Sequence, residues 1–252
     1  MTIVLVGFVV GVCISYSGVG AGSLTTPLVV LVLGYNVSTA IGSDLVFSLG
    51  TKIVALLTHV RAKTIDYGAL AWLALGGIPG AIVGVLLTGW MRAHLPLVTV
   101  EHVLTLLLAA VLFIAAAAVA FSRTPQPNGD ACVPALPHAP LVLTGFLVGA
   151  LVSLTSIGSG SLTLPLLMLV LSTAQLRRLV GTDVAFAVVL LVPAILGQWR
   201  FGTVDVRLAG LLLAGSIPGV IVGAPLASRL PERAFRIGLA VILVAVGLRL
   251  AA

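Results

Sequence analysis

Charged side chains are scarce in this sequence. Of its 252 residues only 8% are charged, whereas 60% are hydrophobic. Soluble domains carry roughly a quarter charged residues, and a soluble core could not bury this much apolar surface. The mean hydropathy of +1.27 points the same way. We therefore expect an integral membrane protein whose main surroundings are the lipid bilayer.

Other absences narrow the class of protein further. The 13 basic residues never form a run with interleaved aromatic residues, so the net charge of +6 favours membrane anchoring over nucleic-acid binding. Cys13 and Cys132 have no metal-ligand spacing, and a Gly-x-Ser-x-Gly hydrolase motif is missing. The alternation typical of barrel strands is missing too, which predicts helical spans. We expect no enzyme activity, no cofactor and no bound metal.

Eight apolar segments follow one another along the chain. They lie at about 2–34, 38–58, 66–90, 97–121, 139–171, 179–199, 206–227 and 234–250. The proline-rich stretch 123–139 is the one extended polar linker between them. We therefore expect a first membrane repeat over 1–122 and a second over 140–252.

The two halves share several motifs in the same order. The pattern Gly-x-Gly-Ser-Leu-Thr-x-Pro occurs at 20–27 and again at 158–165, which is 138 residues later. Gly42-Ser43-Asp44 recurs 139 residues later as Gly181-Thr182-Asp183, and the Ile-Pro-Gly sequence at 78–80 recurs at 217–219. A duplicated unit of four segments accounts for these matches most simply.

The first and fifth segments are too long to be single transmembrane helices. About 33 residues of helix would extend roughly 50 Å, whereas the apolar core of a bilayer is about 30 Å thick. The glycine clusters allow the backbone to break there into arms that are each too short to cross. Each segment is then either a re-entrant hairpin or a tilted, discontinuous crossing helix.

Loop charge favours hairpins, because Lys and Arg accumulate on the cytoplasmic side. With hairpins the split between the two faces is 8 basic residues against 4, whereas crossing segments would give 6 against 6. Hairpins leave three crossings in each half, so the second half must be inverted. The predicted fold is an all-α polytopic membrane protein with two inverted repeats, each one re-entrant or broken helix hairpin plus three transmembrane helices.

Hairpins of this kind would create an anion site at mid-membrane. Helices that begin near Ser23 and Ser161 would point their positive N-termini, with unpaired N–H groups, at one another. Close helix packing by small residues is the alternative explanation of the two motifs. The expected binding residues of the two motifs are Gly20, Gly22, Ser23, Leu24, Thr25, Gly158, Gly160, Ser161, Leu162 and Thr163.

Ionisable residues inside the apolar segments are further candidates. Asp44 and Asp183 are expected either to carry a coupling proton or to cap their helices. Lys52, whose counterpart is Leu191, is expected to pair with Asp44, to bind the substrate directly or to snorkel to the cytoplasmic surface. Pro79 and Pro218 are expected to kink their helices and to serve as hinges.

The repeated glycine–hydroxyl motifs, the Gly-Ser/Thr-Asp motifs and the paired Ile-Pro-Gly sequences together resemble the TauE/SafE family, over essentially the whole chain. The resemblance implies export of sulfite or a small organosulfonate such as sulfoacetate across a prokaryotic inner membrane, driven by a proton gradient. The expected partners are this sulfur-containing anion and the lipid bilayer, and a homodimer is compatible with the sequence. A passive anion channel with the same site is the alternative function.

Overall fold

A computed structural model describes residues 2–17, 22–121, 138–171, 176–227, 241 and 243–250. Within these ranges the regular structure is helical, which confirms the predicted all-α class. The helices are α1 (Thr2–Ser17), α2 (Gly22–Leu33), α3 (Val37–Arg61), α4 (Tyr67–His94), α5 (Leu97–Phe121), α6 (His138–Thr155), α7 (Thr163–Val170), α8 (Leu176–Arg200) and α9 (Val206–Ala227). Residues 243–250 are helical as well.

Six helices in the described part of the chain are long and apolar enough to cross a membrane. They are α3, α4, residues 97–117 of α5, α6, α8 and residues 206–223 of α9. Large hydrophobic side chains such as Val54, Leu86 and Leu196 lie exposed on their outer faces, as expected for contact with lipid. These helices bear out the expectation of a multi-pass membrane protein.

Both overlong segments are broken, as expected. The first is divided into α1 and α2, and the fifth into α6 and α7. The expectation that every arm is too short to cross is wrong for α6, which has 18 residues and starts inside the predicted linker. The remaining linker and about half of the eighth apolar segment lie outside the described residues, so the division into domains stays a prediction.

Helix α4 of the first half packs along α6 of the second half. A Cβ atom at Gly76 would collide with the carbonyl oxygen of Val142, and one at Gly80 with that of Phe146. Both contacts advance in the same direction along the two helices, so α4 and α6 are parallel. The glycines allow the two backbones to approach closely.

The same interface occurs a second time between α1 and α9. Gly215 lies against the carbonyl oxygen of Val4, and Gly219 against that of Phe8. These four residues are the repeat counterparts of those in the α4–α6 interface. Each half therefore contributes one helix to each of two equivalent parallel pairs.

Helices α3 and α8 run in opposite directions. The backbone N–H of Asp66, which follows α3, donates to Oγ1 of Thr182 near the start of α8 at 3.0 Å. In the matching contact, the N–H of Asp205, which follows α8, donates to Oγ of Ser43 near the start of α3 at 3.0 Å. The end of each helix thus lies beside the beginning of the other.

Helices α1 and α2 also run in opposite directions. Gly42 and Gly50 of α3 contact Thr203 and Leu213 respectively, so α3 is parallel to α9 and hence to α1. Helix α2 is antiparallel to α3. Residues 34–36 form a short connection between them, and Thr26 of α2 and Asp44 of α3, which lie equally far from this connection, are joined by a hydrogen bond.

Candidate functional site

The two helix breaks are in direct contact. Gly22 begins α2, and a Cβ atom added there would collide with the carbonyl oxygen of Ser156, which follows α6. The same Cβ atom would lie 2.9 Å from Oδ2 of Asp44. Only glycine allows the start of α2 to approach the second break and this carboxylate so closely.

The Asp44 carboxylate links the two breaks. Its Oδ2 atom accepts a hydrogen bond of 2.9 Å from Oγ1 of Thr26 in α2 and one of 2.7 Å from Oγ of Ser156. The Asp44 side chain is completely buried, and Thr25 supplies a further hydroxyl beside it. Neutral hydroxyl donors from both halves therefore bind Oδ2 of this acidic group, whereas Oδ1 has no partner among the described residues.

The capping alternative for the two aspartates is wrong. Asp44 lies two turns inside α3, whose N-cap is Asn36, and Asp183 lies equally deep inside α8. The helices that aspartates cap are α4 and α9. Asp66 accepts the N–H of Ala69 in α4 at 3.1 Å, and Asp205 accepts the N–H of Leu208 in α9 at 3.0 Å. This leaves Asp44 and Asp183 free for a role in the interior.

Lys52 forms an ion pair across the two halves. Its Nζ atom lies 3.3 Å from Oδ2 of Asp183 in α8, and the two residues are only 8% and 3% exposed. The predicted internal partner was Asp44, but the structure gives Lys52 the repeat counterpart of that residue. The side chain does not snorkel to the surface either, because its ammonium group is paired inside the helix bundle.

Several buried polar side-chain atoms make no hydrogen bond with the described residues. Among them are Oδ1 of Asp44, Oγ of Ser48, Oγ of Ser161 and Oδ1 of Asp183. Ser48 lies one turn from Asp44 and one turn from Lys52, on the same face of α3. Buried polar atoms without partners are uncommon in folded proteins and require an explanation, such as a ligand or water.

The second break has a tightly turned backbone. Gly158 and Gly160 have φ angles of 131° and 105°, which favour glycine, and Ser156 has 59°. The Gly158 carbonyl accepts the N–H of Leu162 at 3.2 Å, that of Thr163 at 3.0 Å and the Thr163 hydroxyl at 2.9 Å. Helix α7 consequently begins at Thr163, two residues later than the predicted start at Ser161.

The structure brings most of the expected site residues into the buried interior. Gly22, Ser23, Leu24 and Thr25 form the buried first turn of α2, and Ser161, Leu162 and Thr163 are buried at the second break. Gly20 lies outside the described residues. Pro79 and Pro218 lie inside α4 and α9, and their roles as kinks and hinges stay predictions.

Two residues that contact Asp44, Thr26 and Ser156, are not among the predicted site residues. Thr26 directly follows the predicted site residue Thr25, and Ser156 comes two residues before Gly158. The counterparts of Thr26 and Ser156 in the other half are Leu164 and Gly18, so neither hydroxyl is repeated. A comparison of the two halves for unpaired polar residues, which singled out Lys52, would have found both.

Membrane-length helices, two broken segments in contact and a buried ion pair between the halves define a multi-pass membrane transporter. The profile of the family described as "Sulfite exporter TauE/SafE" matches residues 3–250, so the chain belongs to the TauE/SafE sulfite exporter family. The resemblance found in the sequence is thereby confirmed.

Two curated relatives agree with this class. "Probable membrane transporter protein YjnA" of Bacillus subtilis is 37% identical over 99% of both chains, and "Probable membrane transporter protein YdhB" of the same organism is 27% identical over 92% of both chains. No solved structure matches the chain.

Proposed function

We propose that this protein is a secondary transporter that exports sulfite or a small organosulfonate, such as sulfoacetate, in a proton-coupled cycle. The anion is held at mid-membrane between the starts of α2 and α7. The observation that carries this proposal is the buried cation Lys52 in a helix bundle where the two helix breaks meet. A buried ionisable residue in a membrane protein is a functional candidate by default.

Inverted repeats support a transport cycle. Helices α3 and α8 are repeat counterparts that run in opposite directions, as expected for repeats related by an axis in the membrane plane. Because α1 opposes α2, the first broken segment is a re-entrant hairpin in this proposal. The second broken segment, built from α6 and α7, would enter from the opposite side.

The proposed anion site combines helix ends, hydroxyls and one full positive charge. The buried first turn of α2 supplies backbone N–H groups from Gly22 to Thr25. The second break supplies the Ser161 hydroxyl, whose Oγ has no hydrogen-bond partner among the described residues. Lys52 supplies the charge, and the tight packing at Gly22 favours a small ligand.

Asp44 and Asp183 are the proposed proton-coupling residues, because both carboxylates are buried next to this site. Pro79 and Pro218 are the proposed hinges. Each proline removes one backbone hydrogen bond from the middle of its helix, which makes bending at that point easier.

Transport in inside-out membrane vesicles tests the proposal. We expect vesicles that contain the protein to accumulate labelled sulfite or sulfoacetate above the external concentration when a pH gradient of one sign is imposed, and not with the opposite sign. A passive anion channel would not couple the anion to the pH gradient, so the sign of the imposed gradient would not decide whether the anion accumulates. The same vesicles with chloride or lactate as the labelled anion show whether the site selects sulfur oxyanions.

The proposed location is the inner membrane of a prokaryotic cell, with the cytoplasmic face marked by the more basic loops. A homodimer is the proposed assembly. The mass of the purified protein in detergent tests the homodimer. Detection of the protein in the inner-membrane fraction of fractionated cells tests the location.

A further inference from the structure

The ion pair between Lys52 and Asp183 joins the two halves but is not repeated at the counterpart positions, Leu191 and Asp44. The counterpart of Lys52 is Leu191, which is completely buried among apolar residues. The counterpart of Asp183 is Asp44, whose Oδ2 accepts two hydroxyls and whose Oδ1 has no hydrogen-bond partner; among the described residues no cation pairs with Asp44. At the counterpart positions the same fold holds Leu191 in place of Lys52 and a hydroxyl-bonded Asp44 in place of Asp183. The fold therefore does not require the ion pair.

The ion pair is also incompletely satisfied. A single contact of 3.3 Å joins Lys52 to Asp183, although an ammonium group can donate three hydrogen bonds. Oδ1 of Asp183 and Oγ of Ser48 lie buried without partners among the described residues. Buried ion pairs contribute stability only when such additional bonds are made, so this pair contributes little to folding.

From these observations we infer that the Asp183 carboxylate occupies the substrate's place on Lys52 while the site is empty, and that an incoming anion displaces it as Asp183 takes up one proton. This inference rests on the proposed function. It specifies how the proton and the anion are coupled, and it separates the roles of Asp183 and Asp44.

The charge balance requires the proton. Together Lys52 and Asp183 are neutral, and an anion that pairs with Lys52 would leave a buried carboxylate without a counter-charge. An unpaired buried charge is strongly unfavourable. When Asp183 binds a proton, its carboxyl becomes neutral, and the new pair of Lys52 with a monovalent anion is neutral too. One proton therefore enters with each anion.

Other titratable groups near Asp183 do not replace Lys52 in this exchange. Apart from Lys52, the described charged or titratable side chains of α8 and of the helices packed against it are Asp44, His59 and Arg61 of α3, Tyr67, Arg92 and His94 of α4, His138 of α6, and Arg177, Arg178 and Arg200 of α8, and Asp66 precedes α4. Asp44 accepts the hydroxyls of Thr26 and Ser156, and Arg92 donates to the carbonyl of Phe201 at 3.4 Å. The exposed side chains among them include Arg61, Tyr67, His94, Arg178 and Arg200. Asp66 caps the N-terminus of α4, Arg177 is exposed, and the exposed His138 ring stacks on Trp72 at 4.3 Å. His59 contacts Oγ1 of Thr64 through Nδ1 at 2.8 Å.

The direction of coupling follows from this exchange. Because proton and anion bind together, they move across the membrane in the same direction. An imposed pH gradient therefore drives the anion towards the alkaline side. Export proceeds when the outward gradient of the anion exceeds the inward gradient of protons.

Equilibrium binding to the purified full-length protein tests the inference. The probe is labelled methanesulfonate, a small sulfonate whose charge is constant between pH 5.5 and 8. We expect the Kd of the wild-type protein to rise about tenfold per pH unit where one proton accompanies each anion. In Asp183→Asn this dependence should disappear and binding should tighten above neutral pH, because no carboxylate competes for Lys52.

Three further variants distinguish this coupling from a structural role. Asp44→Asn should keep the pH dependence, Lys52→Arg should keep both binding and its pH dependence, and Lys52→Leu should lose binding. Thermal unfolding of each variant in detergent identifies any that fail to fold, and Lys52→Arg then carries the test. A pH dependence that persists in Asp183→Asn, or that disappears in Asp44→Asn, overturns the inference.

The failure of the inference can be told apart from failure of the proposed function. If the wild-type protein binds neither methanesulfonate nor sulfite at any pH, the proposed function itself is wrong. If it binds and transports the anion, but a pH gradient drives the anion towards the acidic side in proteoliposomes, the coupling described here is wrong and the transport function stands.

Discussion

The hydroxyl of Ser156 donates a hydrogen bond of 2.7 Å to the carboxylate of Asp44, although the two residues are 112 positions apart in the chain. Ser156 belongs to the break of the second half, whereas Asp44 belongs to a long helix of the first half. The same carboxylate oxygen accepts from Thr26 of α2. One side chain thus fixes the two broken segments relative to one another.

Removing either hydroxyl should destabilise the contact between the breaks. Thr26→Val and Ser156→Ala each leave the buried Asp44 carboxylate with one donor fewer, at a cost of about 1–3 kcal/mol. Thr105→Val is the matched control, because the Thr105 hydroxyl bonds only the Glu101 carbonyl of its own helix turn. Unfolding in detergent measures the difference, and equal effects at all three positions would contradict the linking role of Asp44.

The close approach at Gly22 makes a second prediction. In Gly22→Ala the new Cβ atom collides with the Ser156 carbonyl, which is backbone and cannot rotate away. We expect a loss of about 1–3 kcal/mol of stability, as for overpacked cores, together with a loss of transport. Gly210→Ala serves as the control, since no atom of the described residues lies within 4 Å of a Cβ at that position. Unfolding in detergent measures the stability of both variants, and uptake into vesicles measures their transport. Equal results for the two variants would contradict the prediction.

The proposed inversion of the repeats is tested by labelling two counterpart positions. Arg61 and Arg200 are both exposed and lie 139 residues apart at the ends of α3 and α8. In a background without Cys13 and Cys132, we expect a membrane-impermeant thiol reagent to modify Arg61→Cys only from the cytoplasm and Arg200→Cys only from the opposite side. Labelling of both from one side would mean that the repeats are not inverted.

A hinge role for the two repeated prolines predicts an effect on rate and not on affinity. Pro79→Ala and Pro218→Ala restore the missing backbone N–H and stiffen α4 and α9. The initial rate of uptake should fall several-fold, while the Kd for the anion stays within about twofold. Pro193→Ala is the control, because Pro193 lies in α8 but has no proline counterpart in the other half. A changed Kd with an unchanged rate would place the prolines in the binding site instead.

Much of the fold was predictable because it depends on local composition and on repetition. The length of the apolar segments required breaks, and the glycine clusters marked where they occur. The length of α6 was not predictable, because the helix begins at His138 inside a stretch whose prolines suggested a loop. Proline is tolerated in the first turn of a helix, and Pro140 lies there.

The candidate site was predictable only in part. The repeated motifs pointed to the right segments, but the partners of the buried charges depend on how the two halves pack. The spacing of Asp44 and Lys52 on one helix suggested a local pair, whereas the structure pairs Lys52 with Asp183 of the other half. Long-range pairs of this kind leave no trace in the spacing of residues along one helix.

The crossed arrangement of α4 with α6 and of α1 with α9 bears on how such a protein could originate. Neither half has a complete set of neighbours by itself, because each parallel pair takes one helix from each half. A single ancestral half would therefore have required a second copy inserted in the opposite orientation. Fusion of two such genes would then have freed each copy to diverge, and Lys52, whose counterpart is Leu191, is an example of such divergence.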